Sequence, residues 1–177
     1  MCTKGPIEIR NLQNVLNDTF GNIIQLSNTG NEDEKKREFY SKSLAAYTLM
    51  KITDCSQQDA VNSLIDGNND CGIDAIYIDY SQKKYYLVQS KYCEKGNSEP
   101  SLSDVSKFGN GVDYFLNSKW DNFKYNINFE KRLPDFQKCL ATEGMKCYII
   151  LVYSSFNELH IDRILIFDNL KYHSSEG

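Results

Sequence analysis

The sequence predicts an α/β or α+β fold in which helices flank a central mixed β-sheet. Apolar residues recur at helical spacing before and after the middle of the chain, and the middle holds two adjacent runs rich in β-branched and aromatic residues. A third run, residues 146–153 (KCYIILVY), is almost continuously apolar, as is typical of a strand buried on both faces. This succession of helical and strand patterns indicates helices layered on a sheet.

The segments ahead of the sheet are predicted to be helical. Residues 9–26 place apolar side chains at helical spacing, and residues 31–51 do so after an acidic start that suits a helix N-terminus. Ser56 fits as the N-cap of a short helix that reaches Leu64. A turn-rich loop, DGNNDCG, then leads into the first strand.

The second half of the chain is predicted to add two helices and two strands. Ser103 or Asp104 is expected to cap the first helix, and Pro134 is expected in the first turn of the second, which reaches Thr142. The continuously apolar run follows as a strand. Residues 159–167 form a second apolar run and are predicted to be a further strand.

The two runs in the middle of the chain predict a β-hairpin. Residues 73–80 (IDAIYIDY) and 84–91 (KYYLVQSK) are separated by a short polar break. A symmetric four-residue connection would place Tyr80 opposite Lys83, and this fixes the pairing of every other residue. A slip by one residue would move all the side chains of one strand to the opposite face.

In this register three polar side chains meet at the open end of the hairpin. Asp74 falls directly opposite Gln89, where side chains of a cross-strand pair lie about 5 Å apart. Lys91 lies two residues further on and shares the face of Gln89. A carboxylate, an amide and an amine are therefore predicted to lie together.

Length and composition are those of one folded domain, residues 1–177. At 41% hydrophobic residues the chain can bury an ordinary core, and its net charge of −4 argues against holding nucleic acid by bulk electrostatics alone. A divalent cation would offset that charge locally. The N-terminus lacks an apolar signal segment, and no apolar stretch approaches the roughly 18 residues of a membrane span, so the cytoplasm is the expected location.

The cysteines and histidines do not form a recognisable site. Six cysteines are scattered without a CxxC pair, and His160 and His173 stand far from any pair of cysteines. This spacing excludes a zinc-binding motif and a disulfide framework.

The motif Gly-Ile-Asp, followed after fourteen residues by Gln-Ser-Lys, resembles the PD-(D/E)xK nuclease superfamily in its Mrr-like variant, which uses Gln-x-Lys. The surrounding segments SKSLAAYTLMKITD, DGNNDCGIDAIYID, YYLVQSKY and SDVSKFGNGVDYFLN resemble the N-terminal region of the abortive infection phage resistance (AIPR) family. The resemblance covers residues 35–117. It implies a restriction-endonuclease-like fold and a Mg²⁺- or Mn²⁺-dependent endonuclease, with DNA as the expected substrate, in bacterial defence against phage.

The resemblance also implies roles for individual residues. Asp74 would bind the metal ion, Gln89 would occupy the usual Glu position, the backbone carbonyl of Ser90 would reach the metal, and Lys91 would lie near the attacking water. These residue types suit the chemistry, because a hard cation takes oxygen ligands and a positive group stabilises the charge that develops on the phosphate.

Further residues and partners are expected on the same basis. Glu38, on the first core helix, is the preferred additional acid, and Asp70, in the loop before the hairpin, is the second candidate. Lys107 is expected to approach the nucleic-acid backbone. Family members usually continue beyond such a domain, so the chain is expected to be an N-terminal module with C-terminal domains or defence-system partners. A homodimer would allow both strands of a duplex to be cut.

Two alternatives remain open. Gln in place of Glu removes a negative charge, which favours weaker metal binding or a nuclease-like fold that binds or senses nucleic acid without cleaving it. The other alternative is a protein-interaction domain in which the hairpin is only a scaffold.

Overall fold

A computed structural model describes residues 6–173 of the chain. Cys2 and the last residues of the polar C-terminal segment lie outside the described part. In chain order the elements are α1 (Ile7–Phe20), α2 (Glu32–Thr53), α3 (Gln57–Asn62), β1 (Ala75–Asp79), β2 (Lys84–Lys91), α4 (Leu102–Leu116), a 3-10 helix (Trp120–Phe123), α5 (Ile127–Ala141), β3 (Lys146–Tyr153) and α6 (Ile161–His173).

The three strands form one mixed sheet in the order β1-β2-β3. β1 and β2 are antiparallel, with Asp79 paired to Lys84 and Ala75 to Val88, which is the predicted register. β2 and β3 are parallel along their whole length. The fold is therefore α+β with a mixed sheet, and β2 is the central strand.

Helices cover both faces of the sheet and form two apolar cores. One core packs α4, α5 and the 3-10 helix against the sheet, and the other packs α1, α2 and α3 against the opposite face. Side chains of β2 alternate between them, so that Leu87 enters the first core and Val88 the second. By the same alternation Gln89 and Lys91 face α4, and Ser90 faces α2.

Polar caps set the starts of four helices. Asn31 forms a capping box with Glu34 at the start of α2, and Ser56 caps α3 as predicted. The cap of α4 is Ser101, not Ser103 or Asp104 as the sequence indicated. The helix begins one turn earlier because Ser101 Oγ accepts the backbone N–H of the residue three positions on.

The last predicted strand is wrong. Residues 161–173 form α6, which packs on α4 through Phe167 against Phe108 and through Ile166 against Gly109. Ile161 and Leu165 on the same helix stay more than half or about half exposed, at 56% and 50%. The apolar residues of this segment therefore lie on two surfaces of a helix, one packed on α4 and one exposed. The strand was predicted because so many apolar residues in a short segment are typical of a buried strand.

Two further predictions are corrected. β3 is a strand as predicted, but it lies at an edge of the sheet and is only half-buried, with Tyr148 40% exposed. α5 begins at Ile127, so Pro134 stands inside it and not in its first turn. Pro134 is exposed, which leaves room for the local distortion that a proline causes in a helix.

Within the described range no helix combines the length and the apolar character that a membrane crossing requires.

Candidate metal centre at the open end of the hairpin

The loop between α3 and β1 carries two acidic residues back to the start of the hairpin. The backbone N–H groups of Ile65 and Asp66 both donate to the carbonyl oxygen of Asp74, at 2.9 and 3.0 Å. This pairing lines the start of the loop up beside the residue that precedes β1. Asp66 is thereby held next to Asp74, although eight positions separate them in the chain.

Asp70 closes the same loop on itself. Its Oδ1 accepts the N–H of Gly72 at 2.7 Å, and its Oδ2 accepts the N–H of Gly67 at 3.3 Å. Asn69, Cys71 and Gly72 have φ angles of 56°, 54° and 82°. For Cys71 this left-handed conformation is strained, and such backbone strain concentrates at functional sites.

Two glycines allow the loop to lie directly against α4. A Cβ at Gly72 would come within 2.8 Å of the backbone nitrogen of Phe108, and one at Gly111 within 2.3 Å of the carbonyl oxygen of Cys71. Both distances are shorter than real contacts, so larger residues would push the loop and the helix apart.

Asp74 is buried and held by one residue of the central strand. Its Oδ2 accepts the backbone N–H of Ser90 at 2.6 Å and lies 3.0 Å from Ser90 Oγ. Ser90 Oγ also donates to the carbonyl oxygen of Ser41 on α2, at 2.8 Å. Ser90 contacts Asp74 through its N–H and hydroxyl. Oδ1 of Asp74 has no hydrogen-bond partner among residues 6–173, which leaves it available to a ligand.

Gln89, the residue before Ser90 in the central strand, has an unsatisfied side-chain oxygen. Its side chain is only 1% exposed, and Nε2 donates to the carbonyl oxygen of Asp104 at 3.3 Å, while Oε1 has no hydrogen-bond partner in the described part of the chain. A buried amide oxygen without a donor is unfavourable by about 1–3 kcal/mol unless something else binds it. The predicted pairing of Gln89 with Asp74 lies beyond the paired residues of the hairpin, and the N–H of Asp74 donates to the carbonyl oxygen of Val88 at 2.8 Å.

Two lysines border the acidic residues. Lys91 Nζ lies 3.0 Å from Asp104 Oδ1, and Lys107 Nζ lies 2.7 Å from Asp70 Oδ1. The side chain of Lys107 is 59% exposed and that of Lys91 is 37% exposed. Both ammonium groups are therefore held near the centre and remain accessible to a charged ligand.

The three carboxylates have the spacing of a cation site. One oxygen each from Asp66, Asp70 and Asp74 lies within 4.8 Å of the others. Ligands on opposite sides of a Mg²⁺ or Ca²⁺ ion at about 2.0–2.6 Å are separated by at most about 5 Å, so one ion can contact all three. The three carboxylates are an all-oxygen donor set, which suits a hard divalent cation such as Mg²⁺ or Mn²⁺.

The electrostatics of the group also favour a cation. Burial, and then the negative charge of Asp66, raise the pKa of Asp74 to about 7, although the hydrogen bonds from Ser90 oppose this. Burial likewise raises the pKa of Asp66, and the carboxylate of Asp70 adds to that effect. Asp66 accepts no side-chain hydrogen bond from the residues that the structure describes. Buried like charges with few partners are stabilised when a cation binds between them.

Glu38, the acid expected from the first core helix, stands outside this group. It accepts hydrogen bonds from Ser27 and from Lys42, with Lys42 Nζ 2.5 Å from its Oε1. Burial acts to raise the pKa of Glu38, but these hydrogen bonds outweigh it and the pKa is lowered. A carboxylate satisfied in this way is less available to a metal ion than Asp66 or Asp74.

Asp66 is the residue that the sequence analysis missed. Asp66, Asp70 and Asp74 recur every fourth residue through the turn-rich segment DGNNDCGID, and that repetition is the signal that would have pointed to it. Asp104 was considered only as a helix cap, yet it contacts both Gln89 and Lys91.

No protein-family model matches the chain, and neither a curated protein nor a solved structure is significantly similar to it. What the centre can do must therefore follow from its geometry and chemistry.

Proposed function

We propose that the protein is a Mg²⁺- or Mn²⁺-dependent nuclease with a restriction-endonuclease-like fold. The observation that carries this proposal is the group of three carboxylates next to Ser90 in the central strand, the residue that follows Gln89. Such donors select a hard cation, and Lys91 supplies a positive charge on the same face. An acidic group that binds a cation beside an accessible lysine suits an anionic substrate, because the cation and the lysine both neutralise the charge of that substrate.

The proposed chemistry divides among these residues. When bound, a divalent cation would polarise a phosphodiester and lower the pKa of water. Asp66, Asp70, Asp74 and Gln89 would hold that cation. Lys91, released from Asp104, would stabilise the negative charge that develops on the phosphate.

The resemblance to the AIPR family and to Gln-x-Lys nucleases supports the same proposal. It adds DNA as the expected substrate, Lys107 as a contact to the nucleic-acid backbone, and a role in bacterial defence against phage. Ser90 keeps a place in the proposed centre because it holds Asp74.

One observation favours a second function, that of a nuclease-like module that binds nucleic acid without cleaving it. Lys91 is engaged by Asp104 and Lys107 by Asp70, so each amine already has a carboxylate partner. Gln89 also contributes no charge to the centre. A protein of this kind would bind nucleic acid with the same residues and leave the phosphodiester intact.

Cleavage of DNA and RNA by the purified protein, with Mg²⁺ or Mn²⁺, tests the proposal. We expect Asp74→Asn and Lys91→Ala to reduce the cleavage rate at least about 100-fold, because each removes a group that acts on the charge of the reacting phosphate. Asp79→Asn is the matched control, since Asp79 lies on the same hairpin at its closed end, away from the centre.

Equal cleavage by the wild type and by the Asp74→Asn and Lys91→Ala variants would show that this centre is not catalytic. Binding of nucleic acid without cleavage, unchanged by removal of divalent cations, would favour the non-cleaving module.

A further inference from the structure

A cleft of about 500 Å³ with a mixed polar and apolar lining opens between α2, α3 and α5, beside the candidate metal centre. Asp66 lines this cleft and also belongs to the acidic group, so the two sites share a wall. A ligand bound at the acidic group therefore lies next to the cleft at Asp66. The volume lies within the range of about 300–1,000 Å³ typical of pockets for small molecules, and it is the size of a nucleotide, not of a duplex.

Cationic side chains line the cleft opposite Asp66. Lys42 is held by Glu38, and Arg132 donates to the carbonyl oxygen of Ile76 at 2.7 Å, so both have structural partners. Lys131 is exposed and forms no ion pair with any residue that the structure describes. It is therefore the cation best placed to take a phosphate group.

Amide side chains supply the remaining polar surface. Gln58 Nε2 donates to Asn62 Oδ1 at 3.0 Å, which fixes two of the amides on α3. Asn128, on α5, lines the cleft from the other side and makes no side-chain hydrogen bond to the described residues. Amides can pair with the edge of a nucleobase, and Val61 and Leu64 add apolar surface for its faces.

We propose that this cleft binds one unpaired nucleotide of a polynucleotide whose neighbouring phosphate lies at the acidic centre. The inference rests on the proposed function and names its substrate class: single strands, or strands with a displaced base. A base can enter the cleft only after it has left its partner, and that step is easiest in a strand that is already single. Lys131 holds the phosphate of this nucleotide and Asn128 contacts its base.

Binding of labelled oligonucleotides by the 177-residue chain tests the inference, in EDTA and again with Ca²⁺, which neutralises the carboxylates that face the phosphate. The probes are a single-stranded oligodeoxynucleotide of about 12 nucleotides, the RNA of the same sequence and the corresponding duplex. We expect the single strands to bind more tightly than the duplex. The DNA and RNA arms then identify which of the two polynucleotides the cleft prefers.

Two substitutions separate the phosphate contact from the base contact. The logarithm of the association constant falls as the logarithm of the salt concentration rises, and Lys131→Ala should make this slope shallower by about 0.7. If the variant and the wild type bind equally at 1 M salt, the variant should then bind about eightfold more weakly at 50 mM salt. Asn128→Ala should weaken binding and leave the slope unchanged. Lys138→Ala is the matched control, because Lys138 is an exposed lysine two turns further along α5 and stacks on Tyr80 outside the cleft.

The outcomes distinguish this inference from the nuclease proposal. Equal affinities for the Lys131→Ala and Lys138→Ala variants, or equal binding of single strands and duplex, would overturn the cleft even if cleavage is observed. Absence of any binding by the wild type would overturn it as well. If only the Lys131→Ala and Asn128→Ala variants lose affinity, the cleft is supported as a nucleotide site. If the wild type at the same time cleaves no nucleic acid, the nuclease proposal is rejected and the cleft is kept.

Discussion

The two ends of the β1–β2 hairpin carry aspartates in opposite electrostatic states. At the closed end, Asp79 accepts hydrogen bonds from Ser81 Oγ at 2.6 Å and from the N–H of Gln82 at 3.0 Å, and the Ser81 hydroxyl lowers its pKa. At the open end, burial and the neighbouring charge of Asp66 raise the pKa of Asp74 to about 7. Two aspartates five positions apart therefore differ: hydrogen bonds within the turn stabilise the carboxylate of Asp79, whereas burial and a neighbouring charge destabilise the carboxylate of Asp74.

This difference indicates a structural role for Asp79 and a ligand-binding role for Asp74. Asp79 stabilises a turn, and its carboxylate oxygens accept hydrogen bonds from the chain itself or from water. Asp74 is buried beside other carboxylates, which opposes folding unless its proton or a cation neutralises the charge. An arrangement that is unfavourable in the free protein is typical of binding and catalytic sites.

The largest expected effect is on the pH dependence of stability in the absence of divalent cations. The folded pKa of Asp74 lies above its unfolded value, so the folded state binds more protons between about pH 4 and 7. The free energy of unfolding should therefore fall as the pH rises through that window. Asp74→Asn should reduce this fall to the part contributed by Asp66, whose pKa is also raised, and be the more stable protein at pH 7.5, by at most about 4 kcal/mol.

Urea denaturation of the wild type and of the Asp74→Asn and Asp79→Asn variants, in EDTA at several pH values, measures this effect. Asp79 has a lowered pKa, so its stabilisation is present above the unfolded pKa and is lost only as the pH falls through the folded one. Asp79→Asn should therefore keep the fall between about pH 4 and 7. An Asp74→Asn variant with the same pH dependence as the wild type would contradict the prediction.

A smaller effect is expected when a divalent cation is added at pH 7.5. A metal at 100 times its dissociation constant should stabilise the folded protein by about 2.7 kcal/mol and raise the melting temperature by roughly 5–10 °C. The shift should disappear in the Asp66→Asn and Asp74→Asn variants and persist in Asp79→Asn. A thermal shift with Mn²⁺ that is the same in all four proteins would place the metal elsewhere.

The smallest effect concerns the packing that holds the open end in shape. Gly111→Ala places a Cβ within 2.3 Å of the carbonyl oxygen of Cys71, so the loop and α4 must separate. We expect a loss of about 1–3 kcal/mol in the free energy of unfolding, together with a smaller metal-induced shift. Asn110→Ala, at the exposed neighbouring position of the same helix, is the control and should leave both quantities nearly unchanged.

Stability of the Gly111→Ala variant equal to that of Asn110→Ala would mean that the contact between the loop and α4 is not needed. A loss of stability with an unchanged metal shift would separate the packing from the binding site.

The hairpin could be predicted because its pattern is local. Strand propensity, the polar break and the period of two fix which residues face each other, and the predicted pairing of Ala75 with Val88 is confirmed. The segment at 159–167 was predicted incorrectly because its apolar density does not reveal its period. Only packing against α4 shows that Phe167 is covered while Leu165 faces outward.

The candidate metal centre, too, could be predicted from the sequence only in part. The hairpin register follows from the sequence, but its observed pairs end at Ala75 and Val88, so the pairing of Asp74 with Gln89 stays a prediction. From the sequence, Glu38 was the preferred additional acid, and Asp66 was not considered. The structure separates them, because Glu38 is bonded to Ser27 and Lys42 whereas Asp66 lies beside Asp74.

By itself the sequence determined the hairpin, its register and the acid, amide and amine at its open end, because short-range periodicity and propensity govern these features. The tertiary structure alone decided which further acids complete the centre and which cleft adjoins it. These depend on a loop whose left-handed residues, such as Cys71, pack directly against α4. They also depend on α5, which brings Lys131 and Asn128 near Asp66 from a distant part of the chain.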